Sequence, residues 1–473
     1  MLACAAPASA ADLLSLYRQA LVSDPAYQEA LYSESATREA RPQAQARLLP
    51  EIEFRTDGSF RRQDITAPPG PFGGRMQTDF KEYGYRLQVR QPLFRPERIL
   101  QLAQSKHRIQ EASAQARGAL QGLLLRVSEA YFGILGARKN LLFVRAEIRS
   151  LEEQLRRARQ RLELGLGTIV DVEEVQAGFD LAVARELRAQ NDLAIARERL
   201  REITGAPPPK LEELREDLPL TPPQPENVAT WVKIAGENDP AIHAAQQRLE
   251  RLQREIGRQR AGHLPTVDLV AHNNSRNTGG RFGNSIVDED MVRLEMQLPL
   301  FQGGTTNSQT RQAREEHKGA RASLERVQRT AERGVRESFW SVQSEISRVR
   351  ALAQAVNSNR TALQAAQAGL EVGTRTSVDL VNAERSLSEA QSNHARARYD
   401  YVLNTLRLKR AAGILQDSDL EELNRWLAPE ETDKIDVETD AAAEAAEEAP
   451  PGEPETPQDE AQPEEATGED DDA

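Results

Sequence analysis

Val372-Gly373-Thr374-Arg375-Thr376-Ser377-Val378-Asp379-Leu380 separates two long helical patterns, and Gly165-Leu166-Gly167-Thr168-Ile169-Val170-Asp171 does the same earlier in the chain. The two turns are about 208 residues apart, too long a period for a solenoid unit, so they mark a duplicated half-protein. Other landmarks recur at nearly that offset. Asp24-Pro25-Ala26 and Leu49-Pro50 match Asp239-Pro240-Ala241 and Leu264-Pro265, Pro92-Leu93-Phe94 matches Pro299-Leu300-Phe301, and Tyr131-Phe132 matches Phe339-Trp340.

Each turn closes a proline-free stretch of great length. Between Pro96 and Gly165, Leu141, Val144, Ile148, Leu151, Leu155, Ala158 and Leu162 step by threes and fours, which is a heptad seam. The stretch from Gly303 to Gly373 repeats it through Leu352, Val356, Asn359, Leu363, Ala366 and Leu370. About 70 helical residues span roughly 100 Å. Shorter helices return over Ile169–Ile203 and Ser377–Ala412, so each half ends in a long antiparallel hairpin.

Before each hairpin the period drops to two. Ile52 and Phe54 alternate with Glu51, Glu53 and Arg55, and Tyr83, Tyr85, Leu87 and Val89 alternate with Gly84, Arg86, Gln88 and Arg90. In the second half Val267, Leu269 and Ala271 form one such row and Val292, Leu294, Met296 and Leu298 another. A membrane barrel uses strands of about 9–11 residues with lipid-facing apolar and lumen-facing polar sides. Lipid tolerates no open sheet edge, so two strands per half imply an oligomer. Phe80, Tyr83, Tyr85, Phe94 and Phe301 near strand ends fit an aromatic girdle or plain strand propensity. Arg61-Arg62, Arg75, Arg276 and Arg281 fall near the strand loops, facing either solvent or lipid phosphates.

The resulting organisation is 1–10 as a residual signal peptide ending Ala8-Ser9-Ala10, 11–206 as the first repeat, 207–236 as a linker, 237–428 as the second repeat and 429–473 as an acidic disordered tail. Strands are expected near 48–60, 80–91, 265–275 and 289–299, with hairpins near 96–204 and 303–413. Asp12 to about Arg47 reads as helix with a capped start at Asp24-Pro25. The net charge of −13 is concentrated in the tail, whose 19 acidic residues and one lysine leave the body weakly basic. Arginines there alternate with glutamates along helices, the pattern of a solvated face rather than of nucleic-acid binding. With 39% hydrophobic and 5% aromatic residues, the chain suits long helices in thin layers. The single cysteine, Cys4, excludes an internal disulfide, and the scattered histidines show no metal-ligand spacing. Neither a cofactor nor an enzymatic site is expected.

The tip Val372–Leu380, the Asp-Pro-Ala and Leu-Pro strand entries and the Pro-Leu-Phe strand exits resemble the TolC family of outer-membrane efflux and secretion channels over about Asp12–Leu427. The resemblance implies a mainly α protomer with a membrane β-barrel. Three copies would give a homotrimer with a twelve-stranded barrel in outer-membrane lipid and an α-helical barrel reaching into the periplasm. Its partners would be a periplasmic adaptor and an inner-membrane transporter of the RND or ABC type. It also implies a latch: Arg375 at the second tip bonds the neighbouring first hairpin, with Asp171 and Gln154 as partners, and the tip turns are Gly165, Gly167, Gly373 and Thr374. Pore-narrowing rings would fall at Asp379 and at Asn382, the latter uncharged here, and Leu370 stands where the family has an aromatic partner. The competing local reading is a plain helix-hairpin turn, with Thr376 or Ser377 as N-cap and Asp379 as a first-turn carboxylate. The alternative from another class is a soluble periplasmic coiled-coil scaffold or adaptor.

Overall fold

The computed structural model describes residues 11–68, 70, 74–279 and 283–428. The expected signal remnant with Cys4, the acidic tail, Arg281 and parts of both strand loops lie outside the described residues. Three helices open the chain: α1 (Leu13–Ser23), α2 (Pro25–Arg38) and α3 (Ala40–Ala46). They replace the single helix expected there. The Asp24 carboxylate accepts from the Tyr27 amide at 2.6 Å and Pro25 takes the first helical position, so one helix must end where the next is capped.

Then come β1 (Glu51–Ala67), β2 (Gly74–Phe94), α4 (Pro96–Glu163) and α5 (Ile169–Thr204), followed by the short β3 (Glu213–Leu214). The second half repeats the plan with α6 (Val228–Asn238), α7 (Pro240–Arg260), β4 (Thr266–Thr278), β5 (Ser285–Gln297), α8 (Thr305–Glu371) and α9 (Ser377–Ala411). Asp239 and Pro240 start α7 as Asp24 and Pro25 start α2. The described chain closes with α10 (Asp417–Asn424) and β6 (Leu427–Ala428), which pairs antiparallel with β3.

The four long strands form one antiparallel sheet in the order β1-β2-β4-β5, leaving β1 and β5 as edges. Partners such as Asp57↔Gly84, Gly84↔Arg276 and Arg276↔Val287 fix which residues share a face. One face carries Arg55, Asp57, Glu82 and Arg276; the other carries Ile52, Phe54, Tyr85 and Leu294. The apolar face is bare, with Ile52 70% and Val292 73% exposed. β1 and β2 run well past the expected ends, because beyond Phe60 both faces turn polar and the alternation fades while the ladder continues. There Arg62 pairs with Asp79 at 3.0 Å. Arg61 and Arg276 both bond Glu82, on the charged face, and Arg75 lies in β2; these arginines are strand residues, not loop residues. Level with Thr278, the last residue of β4, β2 still has the stretch from Gly74 to Lys81 ahead of it, so the first strand pair outreaches the second.

The main core lies where the long helices pass the first helices and the β3–β6 pair. Tyr17, Tyr131, Phe132, Leu200, Phe339 and Leu406 are buried together. The Tyr131 hydroxyl donates to the Glu212 carbonyl at 2.7 Å, and Phe132 packs on Tyr399 with ring centroids 5.7 Å apart. Toward the turns this core gives way to two small clusters, one around Leu155, Val172 and Val175 and one around Leu363, Ala366 and Leu380. The hairpins are therefore anchored at one end and thinly packed at the other.

Candidate gate at the hairpin tips

Both turns are built alike. Gly165 (φ +69°) and Gly373 (φ +77°) adopt the left-handed conformation that ends each long helix, a geometry costly for residues with a Cβ. Thr168 then caps α5 and Thr376 caps α9 through matching capping boxes. Asp171 Oδ2 accepts from the Thr168 amide at 3.0 Å, and Asp379 Oδ2 accepts from the Thr376 amide at 3.0 Å. The Thr168 hydroxyl and amide hold the Asp171 carboxyl below the usual carboxylate range, and the Thr376 amide and hydroxyl do the same for Asp379. Gly167 fits closely, since a Cβ there would lie 3.3 Å from Arg161 Cβ.

The expected site residues fall into two groups. Asp171 reaches across the hairpins, where its Oδ1 accepts from the buried Ser377 hydroxyl at 3.1 Å. Arg375 lies along its own turn, over Gly369, with Nη1 3.9 Å from Asp379 Oδ1. Both members are exposed, so the pair is weak and freely exchanged for another partner. The Thr374 hydroxyl donates to the Gly369 carbonyl at 3.2 Å, and Asn382 is exposed on α9. Leu370 packs on the Leu363, Ala366 and Leu380 cluster of its own hairpin.

Gln154 sits deeper. Its Nε2 donates at 3.2 Å to both Ser150 Oγ and Glu384 Oε1, while Ser150 Oγ donates to the same glutamate oxygen. Glu384, on α9, is only 7% exposed, and burial pushes its carboxyl above the usual range, with the nearby Glu147 charge adding to the effect and the Ser150 bond opposing it. Glu147 is itself buried and bonded by Arg185 at 2.7 and 3.1 Å. Gly178 of α5 abuts α9, where a Cβ would lie 2.7 Å from Val381 Cγ1. Sequence reading missed Ser150, Gly178 and Glu384, and offered Ser377 only as an alternative N-cap to Thr376, which takes that role. The one available signal was Glu384 itself, a carboxylate between Leu380 and Leu387 on the apolar stripe of α9.

The molecule thus has a thin, polar closure at one end of two long helices, each about 100 Å, and a sheet with a bare apolar face at the other. Residues 16–206 and 231–414 match the family model described as outer membrane efflux protein. The chain belongs to the outer membrane efflux protein family. This efflux protein is 33% identical to the outer membrane protein TolC of Vibrio cholerae, over 88% of this chain and 94% of that protein. It is 30% identical to the alkaline protease secretion protein AprF of Pseudomonas aeruginosa, over 88% and 87%. Its fold is that of the CmeC outer membrane channel of Campylobacter jejuni, with a TM-score of 0.73 at 15% identity over 88% of this chain and 90% of that one. The efflux protein is thus an outer-membrane exit duct of the efflux or type I secretion kind. No helix among the described residues is long and apolar enough to cross a membrane, and no group of three or more His, Cys, Asp or Glu residues there is placed to hold a metal.

Proposed function

We propose that the efflux protein conducts passively, without catalysis, as a homotrimer whose three sheets join into one twelve-stranded barrel in outer-membrane lipid. The observation that carries this reading is the four-stranded sheet itself, with one bare apolar face, one charged face and two open edges. In lipid such a sheet is stable only once closed. The hairpins then form the periplasmic tunnel. Their tips, with Leu164, Leu166 and Val372 about 70% exposed, offer apolar surface to a periplasmic adaptor that couples the duct to an inner-membrane transporter of the RND or ABC type.

The gate is the tip region. Arg375, whose contact to Asp379 in its own chain is weak, bonds the neighbouring copy's first hairpin near Asp171 and Gln154. Arginine suits this because its fork serves several acceptors at once. Asp379 supplies a ring of three carboxylates, while Asn382 makes the next ring uncharged. The test is extraction followed by conductance. The protein should resist salt washing, need detergent for release, and form channels in planar bilayers that widen on Arg375→Ser. Release by salt alone would instead support a soluble coiled-coil scaffold.

A further inference from the structure

Resting on the trimeric reading, the charge order along the two open edges fixes how neighbouring copies meet. On the charged face β1 reads Glu53, Arg55, Asp57, Ser59, Arg61, and β5 read backwards gives Gln297, Glu295, Arg293, Met291, Glu289. Laid antiparallel, the rows set opposite charges together at three of the five steps and like charges at none. Within one chain Arg55 folds back onto Glu53 and Arg293 onto Glu295 at 3.5 Å, while Arg61 bonds Glu82 of β2 at 2.7 Å and Asp57 lies 3.6 Å from Arg276 of β4.

We propose that β1 of one copy pairs with β5 of the next in a single register, with Arg55 opposite Glu295, Asp57 opposite Arg293 and Arg61 opposite Glu289. The apolar face agrees. Phe54 meets Met296, Thr56 meets Leu294 and Gly58 meets Val292, and beyond them Arg62 meets Asp288. Phe60 meets Asp290, whose carboxylate already accepts from Asn273 Nδ2 at 2.7 Å. Opposite charges face each other across strands and no like charges do, which is the favourable arrangement for cross-strand pairs.

Other registers fail on the same residues. A one-residue slip turns every side chain to the wrong face. A two-residue slip one way sets Glu53 against Glu295 and Arg55 against Arg293; the other way sets Asp57 against Glu295. The sheet also demands a stagger. Following partners across the chain leads from Arg55 through Arg86 and Asn274 to Glu289. In the proposed register Glu289 meets Arg61 of the next copy, six residues further along. Three copies give a shear of about 18 over twelve strands, and a strand tilt on the order of 45°, as barrels require. The register that pairs Arg55 directly with Glu289 has no stagger, so it does not give the strand tilt a closed barrel needs.

The apolar band supplies an independent indication of direction. On β2 it includes Leu87, Tyr85 and Tyr83, yet their partners on β4 are Asn273, Ser275 and Asn277. The band has stepped down β4 to Leu269 and Ala271. The proposed stagger continues that step, so Met296, Leu294 and Val292 join the next copy's band at one height.

The test uses the full-length chain carrying Cys4→Ser. Ser59→Cys with Met291→Cys should give disulfide-linked trimers on mild oxidation, with about tenfold more product than Ser59→Cys combined with Glu289→Cys or with Arg293→Cys, because only opposed Cα atoms fall within disulfide range. Arg55→Glu should reduce the trimer fraction in detergent and Glu295→Arg should restore it. A trimer by mass that links at an offset pair, or links equally at all three, overturns the register and leaves the trimer standing. A monomer by mass with no linkage overturns both.

Discussion

Gly178 and Val381 bring the two hairpins of one protomer into direct contact, with no room for a β-carbon at 178: one placed there would lie 2.7 Å from Val381 Cγ1. The contact lies in the thin region between the capped turns and the polar layer at Glu384, where little else resists separation. Gly178→Val should therefore wedge α5 from α9 and raise single-channel conductance in planar bilayers. Adding Val381→Ala should bring it back toward the parent value. An unchanged conductance in the single variant would show that this contact does not set the aperture.

Glu384 should give the proposed gate a pH dependence. Its carboxyl is raised by burial, so the folded protein binds that proton more tightly than the unfolded chain does. The stabilisation is complete below the ordinary carboxylate value and lost as pH rises through the raised one. Asp171 and Asp379 are lowered instead; their contributions exist above the ordinary value and vanish only in stronger acid. The charged groups facing this position are Glu147, which pairs with Arg185 at 2.7 Å, and Arg385, which pairs with Glu389 at 2.8 Å. Mild acid should thus favour the packed arrangement around Glu384, by removing its buried charge and the repulsion from Glu147, and lower conductance. Glu384→Gln should hold the low-conductance state at neutral pH and remove most of the dependence. A Gln variant that retains the parent pH profile would dismiss Glu384 as its source.

Asp379 combines a structural and an electrostatic role that one substitution separates. Asp379→Asn keeps an oxygen for the Thr376 amide but removes the charge. Multivalent cations should block the channel less, while helix content stays at the parent level. Block of equal strength would show that the carboxylates do not line the constriction.

Tyr131 tests the anchored end. Tyr131→Phe leaves the buried ring in place and deletes the bond to the Glu212 carbonyl, which should cost about 0.5–1.5 kcal/mol of stability, plus any penalty for the unpaired carbonyl. Thermal unfolding of the detergent-solubilised protein should shift down, with conductance unchanged. A change in conductance would mean that this core is coupled to the gate.

Periodicity carried most of the architecture into the sequence. The heptad seams ending at Gly165 and Gly373 and the alternating rows around Phe54, Tyr85, Leu269 and Leu294 mark elements whose residues repeat with the geometry they adopt. Legibility failed where neighbours matter more than period. The helix expected across Asp24 breaks because its side chain caps the next helix, and β1 outruns Phe60 because cross-strand ion pairs need no apolar face. At the gate, the capping of Asp171 follows from local spacing. Its bond to Ser377, and the Ser150 and Gln154 bonds to Glu384, join residues more than 200 positions apart, which no window along the chain can see.

The unequal reach of the two strand pairs has a practical consequence at the cell surface. Gly74 to Lys81 extend past the end of β4 by roughly 27 Å along the strand at about 3.4 Å per residue. Each copy thus has one tall strand pair and one low one, and the proposed trimer would present three tall posts around its mouth. A peptide tag inserted after Pro68 should be bound by antibody on intact cells, whereas the same tag inserted after Asn284 would sit below the posts and be partly screened from a molecule of that size.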